Sequence, residues 1–135
     1  MVAYSFNKQF AEDVISGKKV QTVRANRKRH ARVGEPIQLY TAMRTKHCRK
    51  LIDVDPVCVS VQEVIISFPA DESDADLIML LDRMPVVSND LELFAKADGF
   101  DSVRHFKDWW RTTHGKTKDS FLFKGVVIHW EEVAT

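Results

Sequence analysis

Two stretches rich in β-branched and aromatic residues constrain the fold more than anything else in the chain. Val57 to Ser67 carries Val and Ile at six of its positions and is long enough as a strand to need a bend or bulge. Phe121 to Glu131 alternates Phe121 and Phe123 with Leu122 and Lys124, then runs apolar through Val126-Val127-Ile128. Shorter strands are expected at Tyr4 to Phe6, Lys19 to Arg24, and Ile37 to Thr41, where Ile37 and Leu39 share one face. Between them lie helix signals. Asn7 is placed to cap a helix over Lys8 to Ser16 that gathers Phe10, Ala11, Val14 and Ile15 and ends at Gly17. Asp74 to Arg83 and Asp90 to Ala97 read as short helices, the second stopped by Gly99. Ser102 is placed to cap a helix from Val103 to Thr113 that buries Val103, Phe106 and Trp110. Trp109 and Trp110 are adjacent on that helix and cannot both face inward, so one is at least partly exposed. The expected fold class is α+β, with five or six mixed or antiparallel strands closing as a small barrel with flanking helices.

A chain of 135 residues, 44% of them hydrophobic, has the material for one ordinary core. It has no internal repeat and no Gly/Ser linker, so residues 1–135 are expected to form a single domain. No apolar run approaches the roughly 20 residues of a membrane helix, and no membrane partner is expected. Met1 to Phe6 has neither a charged leader nor an apolar core, and the two cysteines, Cys48 and Cys58, make no disulfide framework. A cytoplasmic location is the expectation. His30, His47 and Cys48 lack the paired spacing of a zinc site, so neither a metal nor another cofactor is expected.

Net charge is +1, but its distribution is uneven. Residues 1–50 carry twelve Lys/Arg against three Asp/Glu, and the remainder carries eight against sixteen. The basic residues gather in the loop Ala25 to Val33, which ends in the turn Val33-Gly34-Glu35-Pro36, and in Arg44 to Lys50. Two readings stay open: a surface that faces a polyanion, or two halves that neutralise each other across the fold.

Four stretches carry a more specific signal. They are Gly17-Lys18-Lys19-Val20-Gln21-Thr22-Val23-Arg24, Val33-Gly34-Glu35-Pro36-Ile37-Gln38-Leu39-Tyr40, Phe94-Ala95-Lys96-Ala97-Asp98-Gly99-Phe100-Asp101-Ser102, and Phe123-Lys124-Gly125-Val126-Val127-Ile128-His129-Trp130. In this order and spacing they resemble the ASCH domain family, relatives of the PUA-like RNA-binding barrels. That family's pattern is a helix ending in G-x-K-x-x-T-x-R, a G-D/E strand start and an A-x-x-D/E-G-F element. The resemblance spans nearly the whole chain. It implies a PUA-like barrel and a ligand that is RNA or a nucleoside or nucleotide. Some members are amidohydrolases that remove the acyl group from N4-acetylcytidine with a Lys, a Thr and a carboxylate at these motif positions. Carried onto this sequence, the catalytic candidates are Lys19, Thr22 and Asp98, with aspartate standing where the hydrolases have glutamate.

The chemistry of that trio is coherent. A threonine hydroxyl is a poor nucleophile until a neighbour takes its proton. A lysine can do so when burial and nearby cations lower its pKa, while a carboxylate orients it and opposes that shift. Residues 19 and 22 point to opposite faces of a regular strand, so the trio requires Lys19 in the turn before the strand, or a bulge. Arg24 is a candidate to hold the leaving base or a phosphate. Arg27, Lys28, Arg29, Tyr40, Arg44 and Lys46 are candidate nucleic-acid or substrate contacts. Three functions remain open at this level: an amidohydrolase acting on an N4-acylated cytidine, a non-catalytic RNA-binding module, and a ribonuclease.

Overall fold

In the computed structural model, which describes residues 2–71, 73, 75–115 and 118–132, the strands form two sheets. The elements in chain order are β1 (Val2–Phe6), a 3-10 turn (Lys8–Phe10), α1 (Ala11–Ser16), β2 (Gln21–Ala25), β3 (Ile37–Thr41), β4 (Arg49–Lys50), β5 (Cys58–Phe68), β6 (Ile78–Leu81), β7 (Met84–Val86), α2 (Ser88–Ala97), α3 (Val103–His114) and β8 (Phe121–Trp130). One sheet has the order β1-β3-β4 and the other β2-β8-β5-β6-β7. Among the described residues β1 and β3 run parallel, and the other strand pairs are antiparallel. The class is therefore α+β, and the described strands form two sheets, bridged where Pro36 meets Val57, rather than one closed ring.

The two long runs identified in the sequence lie side by side as β5 and β8. Val64, Ile66 and Phe68 alternate inward and are buried, as pleating requires of a half-covered strand. The expected bulge is present: the register with β8 shifts between Cys58 and Ser60, leaving exposed Val59 as the extra residue. Gly125 lies where β8 crosses β2. A Cβ there would stand 2.1 Å from the Arg24 carbonyl oxygen, so any side chain would force the two strands apart.

The helical expectations hold in part. Ser102 caps α3, its Oγ accepting from the His105 N–H at 3.1 Å, and Phe106 and Trp110 are buried beneath it. Asn7 precedes the 3-10 turn, but its side chain caps nothing, and the regular helix starts only at Ala11. The segment expected as a helix from Asp74 to Arg83 is instead a strand and turn, with position 74 outside the described residues. Its apolar run Leu77 to Leu81 is too short for a helix. Asp82 and Arg83 both take positive φ, 48° and 67°, which makes a tight two-residue hairpin turn into β7.

Phe68 lies at the centre of the aromatic core, stacked on Phe121 at 4.6 Å and Trp110 at 5.7 Å between ring centroids. This cluster pins α3 across the sheet, and the C-terminal half of α3 thereby becomes one wall of a cavity.

Candidate functional site

Regular pairing in β2 begins at Gln21, so Lys19 lies in the turn between α1 and the strand. Gly17 ends α1 in the left-handed region at φ 81°, and the Lys19 N–H returns to the Asp13 carbonyl at 2.9 Å. That turn frees the Lys19 side chain from strand alternation. Thr22 and Arg24 are two apart in β2 and share a face, and Arg24 Nε donates to Thr22 Oγ1 at 2.9 Å.

Asp98 is delivered by the end of α2. The Gly99 N–H donates to the Lys96 carbonyl and the Phe100 N–H to the Ala95 carbonyl, the paired bonds of a Schellman closure, with Gly99 at φ 100°. Asp98 is the C-cap, directly after the last helical residue Ala97, and its carbonyl has no partner within the helix. Lys19 Nζ donates to that carbonyl at 2.5 Å and to Asp98 Oδ1 at 3.1 Å. The lysine thus meets both the carboxylate and the negative end of the α2 dipole. Aspartate is long enough to reach this lysine. Gln21 Nε2 also donates to Asp98 Oδ1, at 3.4 Å.

Lys19, Gln21, Thr22 and Asp98 are the buried polar and charged side chains among the described residues, each 4% exposed or less. Burying a charge is costly, and both members of the ion pair register that cost. Desolvation holds the Lys19 amine below its ordinary pKa although Asp98 raises it, and desolvation holds the Asp98 carboxyl above its ordinary value although Lys19 lowers it. Burial brings Arg24 down to about 10, so it remains a cation at neutral pH. Its guanidinium lies 4.9 Å from the Phe6 ring centroid and donates through Nη2 to the Ser5 carbonyl at 2.7 Å.

These groups open into one cavity of about 280 Å³, near the small end of the roughly 300–1,000 Å³ usual for small-molecule sites. Its lining combines the polar Lys19, Thr22, Arg24 and Asp98 with Phe10, Phe100 and the α3 residues Trp109, Trp110, Thr113 and His114. Trp110 is buried and Trp109 half-buried, as adjacency on one helix requires. The amine of Lys19 spends its hydrogen bonds on Asp98 and the Thr22 hydroxyl receives one from Arg24, so lysine and threonine share the cavity without bonding to each other.

The other candidates lie outside that lining. Arg27 packs over the Tyr4 ring at 4.6 Å and donates to the Arg29 and Ala3 carbonyls. Arg29 is ion-paired with Glu35. Lys28, Arg44 and Lys46 are exposed, Arg44 at φ 70° in the segment between β3 and β4. Tyr40 is half-buried in β3 and donates to Gln38 Oε1 at 3.3 Å. The structure thus separates two things the sequence ran together, a small cavity and a basic exterior.

Sequence reasoning missed Gln21 and the α3 wall. The wall had a legible signal, since Trp109 and Thr113, like Trp110 and His114, stand four apart and align along a helix. No group of three or more His, Cys, Asp or Glu among the described residues could hold a metal ion, and no helix among them is long and apolar enough to cross a membrane. Comparison with family models, with curated proteins and with solved structures gives no match.

Proposed function

We propose that the cavity is the active site of an amidohydrolase that takes an N4-acylated cytidine or a related nucleoside, carried on an ASCH-type domain whose two sheets are the walls of a PUA-like barrel. The observation that carries the reading is the buried Lys19–Asp98 pair opening into the same cavity as the Thr22 hydroxyl. A structural ion pair needs no cavity, and a buried one contributes little stability, so its placement beside a nucleophile favours chemistry. In the proposed reaction Thr22 Oγ attacks the acyl carbon and its proton passes to Lys19, which must move from Asp98 toward the hydroxyl. The C–N bond breaks, N4 takes the proton back, and water then hydrolyses the threonine ester to release the carboxylate. Asp98 orients the lysine, and the aromatic wall of Phe10, Phe100 and Trp109 offers a planar base its faces.

A second reading is a module that holds RNA without chemistry in a cytoplasmic setting. It is favoured by the exposed basic segments around Lys28 and Lys46, which lie outside the cavity and exceed what an uncharged nucleoside requires. A ribonuclease is a third reading, which the same exposed basic segments would serve. The deciding experiment incubates the chain with N4-acetylcytidine and separates the products by chromatography. Cytidine and acetate in equal amounts support the hydrolase. An unchanged substrate, together with salt-sensitive binding of single-stranded RNA, supports the module.

A further inference from the structure

The lining of the cavity has hydrogen-bond donors to spare and little negative charge to meet them. Arg24 spends Nε on Thr22 and Nη2 on the Ser5 carbonyl, leaving further N–H groups of its fork unanswered among the described residues. No carboxylate stands within ion-pair distance of it among the described residues. The Thr22 oxygen is already an acceptor for Arg24, so its own proton is available to give. Lys19 places two of its three N–H groups on Asp98. The buried Trp110 Nε1 has no partner among the described residues. Asp98 is the one anionic group of the lining, and its Oδ1 is taken by Lys19 and Gln21. The lysine and aspartate cancel, and the charge on Arg24 is left over.

A part-buried guanidinium between aromatic rings has lost much of its hydration and needs a counter-charge from somewhere. We infer that the cavity contains an oxyanion subsite, in which a carboxylate or phosphate group of the ligand sits on Arg24 beside the Thr22 hydroxyl. The inference deepens the reading under Proposed function and rests on it only in taking this cavity as the ligand site, not on any reaction. For a hydrolase the anion is the carboxylate released next to Thr22; for a nucleotide ligand it is the phosphate. Arg24 is suited to either because its fork holds two oxygens at once.

The test titrates the whole chain separately with sodium acetate and with inorganic phosphate, ionic strength held constant with chloride, while the tryptophan indole N–H resonances are followed. Trp110 lines the cavity and Trp130 does not, and Trp110→Phe assigns the signal. The expected result is a saturable shift of the Trp110 resonance with at least one anion, Trp130 remaining still, and an affinity at least tenfold weaker in Arg24→Gln. Saturation by acetate alone assigns a carboxylate, and by phosphate alone a phosphate. No saturable shift of Trp110 with either anion in the wild type overturns the subsite, whatever the variant does. So does equal movement of Trp130, or an undiminished affinity in a folded Arg24→Gln protein. N4-acetylcytidine left uncleaved by the wild type removes the hydrolase and leaves the subsite standing.

Discussion

Lys19 answers to two opposing demands, one of stability and one of chemistry. It is 3% exposed, ion-paired with Asp98 at 3.1 Å, and packed 5.1 Å from the Phe10 ring centroid. Removing one partner strands the other charge in the interior. Lys19→Met is therefore expected to cost about 3–5 kcal/mol in denaturant unfolding, while Lys19→Met with Asp98→Leu is expected to be about as stable as the wild type or more so. A single variant as stable as the wild type would show that the pair is hydrated and not truly enclosed. The chemical demand gives a second prediction. If Lys19 is the base, turnover rises with pH as its amine loses the proton, and burial places that limb below the ordinary lysine value of 10.5. Asp98 is the main influence raising the amine against burial, so Asp98→Asn removes most of that opposition and leaves only the weaker pull of Asp13 against desolvation. The limb in the pH–rate profile of acetate release then moves to lower pH. An upward move would mean that Asp98 does not act on the lysine as the geometry requires.

At the scale of elements, the site depends on how two segments stop. α1 stops at Gly17 so that Lys19 can leave the strand pattern, and α2 stops at Gly99 so that Asp98 can face it. Both glycines are legible in the sequence as helix terminators, and so is the cap at Ser102. What local pattern does not supply is the boundary of β2. Lys19 to Arg24 reads as one strand, yet pairing with β8 begins only at Gln21, because the chain is still returning from α1 through the Lys19–Asp13 backbone bond. The β6–β7 hairpin reads as a helix for a related reason. An apolar run of five residues satisfies either period, and the arbiter is a turn at Asp82 and Arg83 whose positive φ neither residue type advertises strongly. Gly99 offers the sharpest test of this level. At φ 100° a side chain is strained, and a Cβ would stand 2.9 Å from Phe10 Cδ1 on the cavity wall. Gly99→Ala is expected to cost about 2 kcal/mol, from a left-handed penalty of roughly 1–2 kcal/mol plus displacement of Phe10. Thermal melts should show the loss, and substrate turnover should fall further than stability does, because the added methyl presses on the Phe10 ring and reaches the Lys19 side chain. An alanine variant with wild-type stability and rate would separate the Schellman closure from the site.

Across the whole molecule, the cavity and the charge are separate features, and this separation is the least legible in the sequence. The trio Lys19, Thr22 and Asp98 can be picked out only through the resemblance to a family motif, which implies all three by position. The fate of the basic residues cannot, since whether an arginine is spent on a neighbour depends on the folded loop. That loop is fastened from beneath. The Ala31 N–H donates to the Tyr4 hydroxyl at 3.0 Å, the same hydroxyl lies 3.0 Å from His30 Nδ1, and His30 Nε2 meets the Ala25 carbonyl at 2.9 Å. So held, the loop commits Arg29 to Glu35 and lays Arg27 over Tyr4, and leaves Lys28 exposed. The three cations should therefore not contribute equally to a polyanion surface. For single-stranded nucleic acid, each phosphate that a protein neutralises adds about 0.7 to the slope of log affinity against log salt. Lys28→Ala is expected to lower the slope by about that amount, with little effect on the fold. Arg29→Ala frees Glu35 as a new negative charge nearby, and should weaken binding more than removing one cation alone would. The measurement is fluorescence anisotropy with a single-stranded RNA across a salt series. If the wild type shows no salt-sensitive association, the basic exterior serves to neutralise the acidic remainder of the chain. A Lys28→Ala slope equal to the wild type, with Arg27→Ala reducing it, would mean that the loop turns over on binding and presents the face that the free protein keeps against Tyr4.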